Sequence, residues 1–96
     1  MRFNAPEAKE LYAELAPIIM GKAVEGDAAA ATETLIAHLE QLIIDLGLPN
    51  TLKKMDIPEA DLPMLASDAM KQQRLLINNP REVSEADALA IYQAAY

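Results

Sequence analysis

A leucine repeat near the middle of the chain constrains the fold more than any other feature. Its apolar positions are Leu35, Ile36, Leu39, Leu42, Ile43 and Leu46. This spacing predicts one amphipathic helix, because steps of three and four residues return each side chain to the same helix face. Asp27 is suited to cap the start, while Gly47 and Pro49 are suited to end it. We therefore predict a helix over residues 28–46.

The composition favours helices throughout the chain. Hydrophobic residues make up 52% of the 96 residues but aromatic residues only 4%, so Ala and Leu supply most of the apolar volume. These side chains lose little rotamer freedom in a helix. A chain of this length has room for one core at most. We predict an all-α fold, a small antiparallel array of about four helices, with residues 1–96 as a single helical domain.

The first helix is predicted over residues 6–20, with Asn4 as its N-cap and Pro6 in its first turn. Its apolar residues form one face, made of Leu11, Leu15, Ile18 and Ile19. Pro17 lies inside this pattern and has no backbone N–H to donate. We expect it to bend or end the helix near residues 13–16.

Three further helical segments follow Pro49. Residues 50–55 predict a short turn, and residues 61–77 predict a third long helix. The apolar face of that helix comprises Leu62, Leu65, Ala66, Ala69 and Leu76. The last helix begins after Ser84, which forms a capping box with Asp87 in the place of the usual Glu. Its apolar side comprises Leu89, Tyr92, Ala95 and Tyr96.

The charge and the absence of cysteine exclude several classes of function. A formal net charge of −7 and a pI near 4.5 oppose binding to nucleic acid or to an anionic membrane surface. The chain has no cysteine, which excludes disulfides, a thiol nucleophile and thiolate metal sites. No stretch approaches the roughly 18 apolar residues of a membrane span. We expect a cytoplasmic protein.

The residues do not form a complete catalytic constellation. His38 is the one histidine, and it has only Gln41 and Leu42 where a second metal ligand would be needed. We therefore interpret His38 as an exposed surface residue. Ser67 and Ser84 lack a histidine base nearby, and three scattered glycines form no phosphate-binding loop. We predict no catalytic, cofactor-binding or metal-binding residue in this chain.

The segment Asn-Asn-Pro-Arg at residues 78–81 interrupts the helical pattern. Pro80 disfavours helical backbone at Asn79, so the third helix must end there or earlier. Arg81 either caps the carbonyl groups of that helix or fixes another group within the turn. On a continuous helix, Leu75 lies off the main apolar face and close to Met64, where it is either an ordinary exposed leucine or part of a second contact surface.

The order of these elements resembles a known family. The segments "LGLPNTLKKMDIPEADLPMLASDAM" and "NNPREVSEADALAIYQAAY" resemble the C-terminal end of the iron-containing alcohol dehydrogenases, and "MRFN" is similar to the segment that follows their last metal-binding histidine. The resemblance covers essentially all 96 residues. It implies the C-terminal helical part of an oxidoreductase that transfers hydride between NAD(P) and an alcohol or aldehyde, with Fe²⁺ or Zn²⁺ as its metal.

The same resemblance implies where partners and substrate would lie. The nucleotide-binding domain and the metal-binding helices of the family precede the matched part, so we expect them to be partners and the isolated chain to be inactive. The resemblance also implies that Leu75, Asn79 and Arg81 form part of the substrate-cleft wall. An alternative is a stand-alone helical module that acts through self-association or a protein partner. A third is complementation of a separately encoded nucleotide-binding half.

Overall fold

The computed structural model describes residues 1–96 and contains helices but no strands, which confirms the predicted all-α fold. The five α-helices are α1 (Ala5–Met20), α2 (Ala28–Asp45), α3 (Leu62–Ala69), α4 (Gln73–Leu76) and α5 (Glu85–Ala94). Short 3-10 turns lie at Arg2–Asn4, Lys53–Met55 and Glu59–Asp61. The chain forms two compact units, Met1–Leu48 and Pro49–Tyr96. No helix is both long enough and apolar enough to cross a membrane.

Small side chains bring α1 and α2 together in the first unit. Ala8 and Ala16 of α1 and Ala31 of α2 are buried, as are Leu35 and Ile36. Alanines at a helix contact allow close approach of the two backbones, because the interaxial distance depends on the side chains between them. The closeness is shown by Thr32, whose hydroxyl donates to the carbonyl of Lys9 at 3.0 Å. This bond satisfies a buried hydroxyl that would otherwise cost free energy.

The apolar face predicted for α1 is exposed. Its four residues are Leu11, Leu15, Ile18 and Ile19, and each is at least 44% exposed. Ala8 and Ala16 form the buried side instead, since residues eight apart lie in one row along a helix. Pro17 does not end α1 near residues 13–16, and the helix continues to Met20. Asn4 occupies the N-cap position as predicted, without a side-chain capping bond.

The structure confirms α2, together with its predicted start and stop. Asp27 Oδ1 accepts the backbone N–H of Ala30 at 2.9 Å, as an N-cap carboxylate does. Gly47 follows the helix with φ +66°, a left-handed conformation that suits glycine. Arg2 joins the start of the chain to this helix: its guanidinium donates twice to Glu40 and once to Glu33, each at 2.9 Å. These ion pairs fix Arg2 on the outer side of α2.

The third long helix predicted over residues 61–77 is interrupted. It consists of α3 and α4, separated by three residues that include Gln72 at φ −84° and ψ +50°. The residues between the two helices and at the start of α4, from Lys71 to Arg74, are all exposed and polar. Helices of this size depend on packing of an apolar face more than on intrinsic propensity. The polar stretch provides no such face, so the helix breaks there.

The second unit is built on the contact between α3 and α5. Leu62 and Ala66 of α3 and Ala88 of α5 are buried. The capping box at the start of α5 is present as predicted, with reciprocal bonds between Ser84 and Asp87. The backbone N–H of Leu52 donates to the carbonyl of Ala95 at 2.8 Å, which holds the end of the chain to the turn after Pro49.

Candidate functional site: the groove at the Asn-Pro-Arg turn

A groove of about 260 Å³ lies beside the turn at residues 78–81, within the second unit. Its lining is apolar apart from Asn79 and Tyr92, and comprises Ala69, Met70, Leu75, Leu76, Asn79, Val83, Ala88, Ile91 and Tyr92. An apolar pocket with a few polar groups is the usual form of a small-molecule site. This groove is therefore the best candidate site in the unit.

Two of the three predicted wall residues line the groove. Leu75 lies on α4 and is 63% exposed, while Asn79 lies in the turn and is half-buried. Arg81 is also half-buried but is not among the lining residues. The structure thus places Leu75 and Asn79 at the groove but not Arg81.

Asparagine side chains hold the turn in shape. Asn79 Nδ2 donates to the carbonyl of Arg81, two residues ahead. Asn78 Nδ2 reaches back to the carbonyl of Arg74 in α4 at 2.9 Å. Helix-end carbonyls have no intrahelical partner, so this bond satisfies one of them. As predicted from Pro80, the helix ends before Asn79.

The electrostatics of the turn centre on Asp87. Hydrogen bonds from the Ser84 side chain and backbone lower the pKa of Asp87, and the positive charge of Arg81 adds to that effect. Asp87 therefore remains ionised to more acidic pH than an ordinary aspartate.

Leu75 is exposed, as both sequence interpretations require, but the reason given from helix phase is wrong. That reasoning placed Leu75 and Met64 on one continuous helix, whereas α3 and α4 are separate. Met64 is also exposed, at 62%. The break, rather than a shared helix face, leaves Leu75 at the rim of the groove.

Sequence reasoning missed most of the groove. Val83, Ala88 and Ile91 were not identified as site residues, and Tyr92 was predicted only as part of an apolar helix side. The spacing of Ala88, Ile91 and Tyr92 offers a signal, because residues three and four apart share a helix face. Residue spacing does not predict that the turn at residues 78–81 lies beside this face of α5 and completes the groove.

His38 and the carboxylates do not form a metal centre. His38 is half-buried on α2, and is therefore less exposed than the surface residue that the sequence predicted. No group of three or more His, Cys, Asp or Glu side chains is arranged to hold a metal ion. The residues present therefore do not fit an iron or zinc site.

The protein is an all-α chain whose second unit carries an apolar groove beside the Asn-Pro-Arg turn. Residues 1–96 match the family described as the Fe-containing alcohol dehydrogenase family, C-terminal. The chain belongs to the Fe-containing alcohol dehydrogenase family, which confirms the resemblance found in the sequence.

Three proteins that resemble this chain carry the names of alcohol dehydrogenases or oxidoreductases. The long-chain-alcohol dehydrogenase 1 of Geobacillus thermodenitrificans (strain NG80-2) is 42% identical over 66 residues, which cover 69% of this chain and 17% of that protein. The 1,3-propanediol dehydrogenase of Klebsiella pneumoniae is 32% identical over 96 residues, 99% of this chain and 24% of that protein. A crystal structure of 1,3-propanediol oxidoreductase matches with a TM-score of 0.88 and 31% identity, covering 99% of this chain and 25% of that chain. This chain thus spans a quarter or less of the length of each.

Proposed function

We propose that the chain is the C-terminal helical part of an iron-dependent, NAD(P)-linked alcohol dehydrogenase, and that it has no activity by itself. The complete enzyme would transfer hydride between the nicotinamide cofactor and an alcohol or aldehyde. The observation that carries the proposal is the match of all 96 residues to the C-terminal region of the family. The proposal includes residues 1–96 acting as one domain in the cytoplasm.

The residues that the chain contains indicate which tasks it would perform in the complete enzyme and which the rest of the enzyme would perform. Because its side chains do not fit a metal site, the metal and the nicotinamide cofactor would be held by the rest of the enzyme. The contribution of this chain would be apolar surface beside the substrate. Leu75 and Asn79, which line the groove, would contact the substrate cleft, and Arg81 would support the turn that carries Asn79.

A chimaeric enzyme tests the proposal. The C-terminal region of the Klebsiella 1,3-propanediol dehydrogenase that corresponds to this chain is replaced by residues 1–96. We expect Fe²⁺- and NAD⁺-dependent oxidation of 1,3-propanediol by the chimaera, and none by the isolated chain or by the truncated relative. A soluble, folded chimaera without activity would contradict the role in the dehydrogenase, and turnover by the pure 96-residue chain would contradict its inactivity.

A second candidate function is favoured by the exposed apolar face of α1. A helical module that acts by self-association would bury Leu11, Leu15, Ile18 and Ile19 against a partner. Sedimentation of the isolated chain distinguishes the two functions. A concentration-dependent, well-defined dimer supports the module, whereas a monomer or irregular aggregate supports the dehydrogenase part.

A further inference from the structure

Two alanines leave space in the groove at the Asn-Pro-Arg turn. Ala69 at the end of α3 and Ala88 on α5 both line the groove, and Ala88 is 6% exposed. Protein interiors are closely packed, so larger side chains normally fill a space of this kind. Here about 260 Å³ stays open beside the two small residues. An apolar space that a chain does not fill with its own side chains can accept an apolar ligand.

The lining of the groove excludes charged ligands. Ala88 forms the buried floor, whereas Leu75 and Ile91 are 63% and 42% exposed and form the rim. No lining residue carries a charge. The amide nitrogen of Asn79 already donates to the carbonyl of Arg81. A carboxylate, phosphate or amine in the groove would lose its hydration without gaining an ionic partner. The groove therefore suits a hydrocarbon group.

The volume of the groove sets the length of that group. Pockets for drug-sized ligands begin at roughly 300 Å³, so this groove accepts a smaller molecule. At roughly 30 Å³ for each water-sized group, 260 Å³ corresponds to about eight or nine heavy atoms. A shorter ligand would leave part of the apolar lining without contacts.

We propose that the groove binds the hydrocarbon tail of an unbranched primary alcohol or aldehyde of about six to eight carbons, and that Ala69 and Ile91 limit the length of the tail. The inference rests on the proposed function, which supplies the reaction and leaves the substrate open. The hydroxyl or aldehyde end leaves the groove toward the part of the enzyme that holds the metal and the cofactor. The tail stays against the apolar lining.

Alcohol binding by the isolated chain tests the groove without catalysis. The alcohols from 1-propanol to 1-nonanol are titrated, and methyl NMR signals are followed at Ile91 and Val83 in the groove. Ile18 and Ile19, exposed on α1, are the controls. We expect saturable shifts at the groove methyls, with Kd falling roughly fourfold for each added methylene up to about eight carbons and no further. Equal shifts at Ile18 and Ile91, or a Kd independent of length, would overturn the tail site.

Two substitutions should move the preferred length in opposite directions. Ala69→Leu occupies part of the groove and should shorten the preferred alcohol by about three carbons, the number that Leu adds to Ala. Ile91→Ala, at the exposed rim, should lengthen it and keeps the test valid where Ala69→Leu does not fold. The matched controls are Ala86→Leu, exposed on α5, and Ile77→Ala, which is 83% exposed and outside the groove. An unchanged preference in Ile91→Ala and in a folded Ala69→Leu variant would overturn the length limit.

A diol tests the apolar character of the bound tail. We expect 1,6-hexanediol to bind about tenfold more weakly than 1-hexanol, because its far hydroxyl would be buried without a partner. Tyr92 is the one lining residue with a hydroxyl group. Equal binding of the two alcohols would overturn the apolar tail. Loss of diol binding in Tyr92→Phe would then identify the ligand as a diol held by the phenol.

Kinetics of the chimaera separate this inference from the proposed function. We expect kcat/KM to rise along the series of primary alcohols and to peak at about six to eight carbons, with a shorter optimum in Ala69→Leu. An active chimaera with equal kcat/KM at every length contradicts the tail site alone. A folded chimaera without activity contradicts the proposed function, while saturable, length-dependent binding by the isolated chain supports the tail site.

Discussion

Ser84 and Asp87 exchange hydrogen bonds at the start of α5. Ser84 Oγ accepts the backbone N–H of Asp87 at 3.1 Å, and Asp87 Oδ2 accepts the backbone N–H of Ser84 at 3.0 Å. Two N–H groups that a helix leaves unpaired at its first turn are satisfied in this way. The bonds fix the point at which the Asn-Pro-Arg turn enters α5, and with it the position of Val83 and Ala88 beside the groove.

Replacing Ser84 should destabilise the chain. We expect Ser84→Ala to lower the free energy of unfolding by about 1 kcal/mol, because the N-cap side chain is lost. Urea unfolding followed by far-UV circular dichroism measures the change. Ser67→Ala is the matched control, since Ser67 is exposed within α3. A loss at Ser67 equal to that at Ser84 would contradict a capping role.

Acid should destabilise the fold through Asp87 and Glu40. Hydrogen bonds from Ser84 lower the pKa of Asp87 from its ordinary value of 3.8, and the hydrogen bond from Arg2 lowers the pKa of Glu40 from 4.5. A carboxyl group with a lowered pKa in the folded state contributes stability above its unfolded pKa and loses it as the pH falls through the folded pKa. We therefore expect stability to be constant near neutral pH and to fall below about pH 4.

Variants identify the groups responsible for this acid dependence. Asp87→Asn should be less stable at neutral pH and should flatten the decline in stability below the ordinary aspartate pKa. Glu25→Gln, in an exposed loop, serves as control and should leave the profile unchanged. Urea unfolding at a series of pH values provides the measurement. An identical acid profile for Asp87→Asn and the parent chain would show that Asp87 does not contribute.

Helix limits were predictable where one residue determines the backbone. Asp27, Gly47 and the Ser84 capping box lie where the sequence indicated, because caps and left-handed glycines act locally. The all-α class and the ends of α2 followed from these signals and from the leucine repeat.

Packing was less predictable, because it depends on which helix face meets a partner. The larger apolar face of α1 is exposed, and the alanine row with Ala8 and Ala16 is buried. Hydrophobicity alone favours burial of the larger residues, whereas close approach of two helix backbones favours burial of the smaller ones. The groove combines side chains from α3, α4, the turn and α5, so only Leu75 and Asn79 were anticipated. The break at Gln72 was missed because Lys, Gln and Arg are all good helix formers.

Gly47 should be sensitive to substitution although space surrounds it. A Cβ placed on Gly47 meets nothing within 4 Å, and its φ is +66°. We expect Gly47→Ala to cost roughly 1 kcal/mol through left-handed strain alone, and Gly47→Asn to cost less. Thermal unfolding of the two variants is the measurement, and equal stability of Gly47→Ala and the parent chain would contradict it.

Gly26 provides a steric comparison for Gly47. A Cβ on Gly26 would lie 2.8 Å from the Cβ of Ala30, and its φ is +101°. We expect Gly26→Ala to destabilise the chain more than Gly47→Ala, because a clash adds to the strain. The reverse order would show that the α1–α2 loop adjusts readily.

Leu75 should affect the substrate more than the stability of the domain. It is 63% exposed at the rim of the groove, so we expect Leu75→Ala to change the unfolding free energy by less than about 0.5 kcal/mol. In the chimaera, Leu75→Ala should change KM or relative rates for alcohols of different length. Met64→Ala, an exposed residue outside the groove, is the control. Unaltered kinetics in Leu75→Ala would remove Leu75 from the proposed cleft wall.

Leu35 and Leu46 lie on one side of α2 but should respond differently to truncation. Leu35 is fully buried, so Leu35→Ala should cost about 2–5 kcal/mol in the isolated chain through lost burial and a cavity. Leu46 is 64% exposed, and Leu46→Ala should change the stability of the isolated chain by less than about 0.5 kcal/mol. Denaturant unfolding of the two variants measures this difference. Equal losses of stability at Leu35 and Leu46 would show that the two side chains contribute equally to the packing of α2, which their exposures contradict.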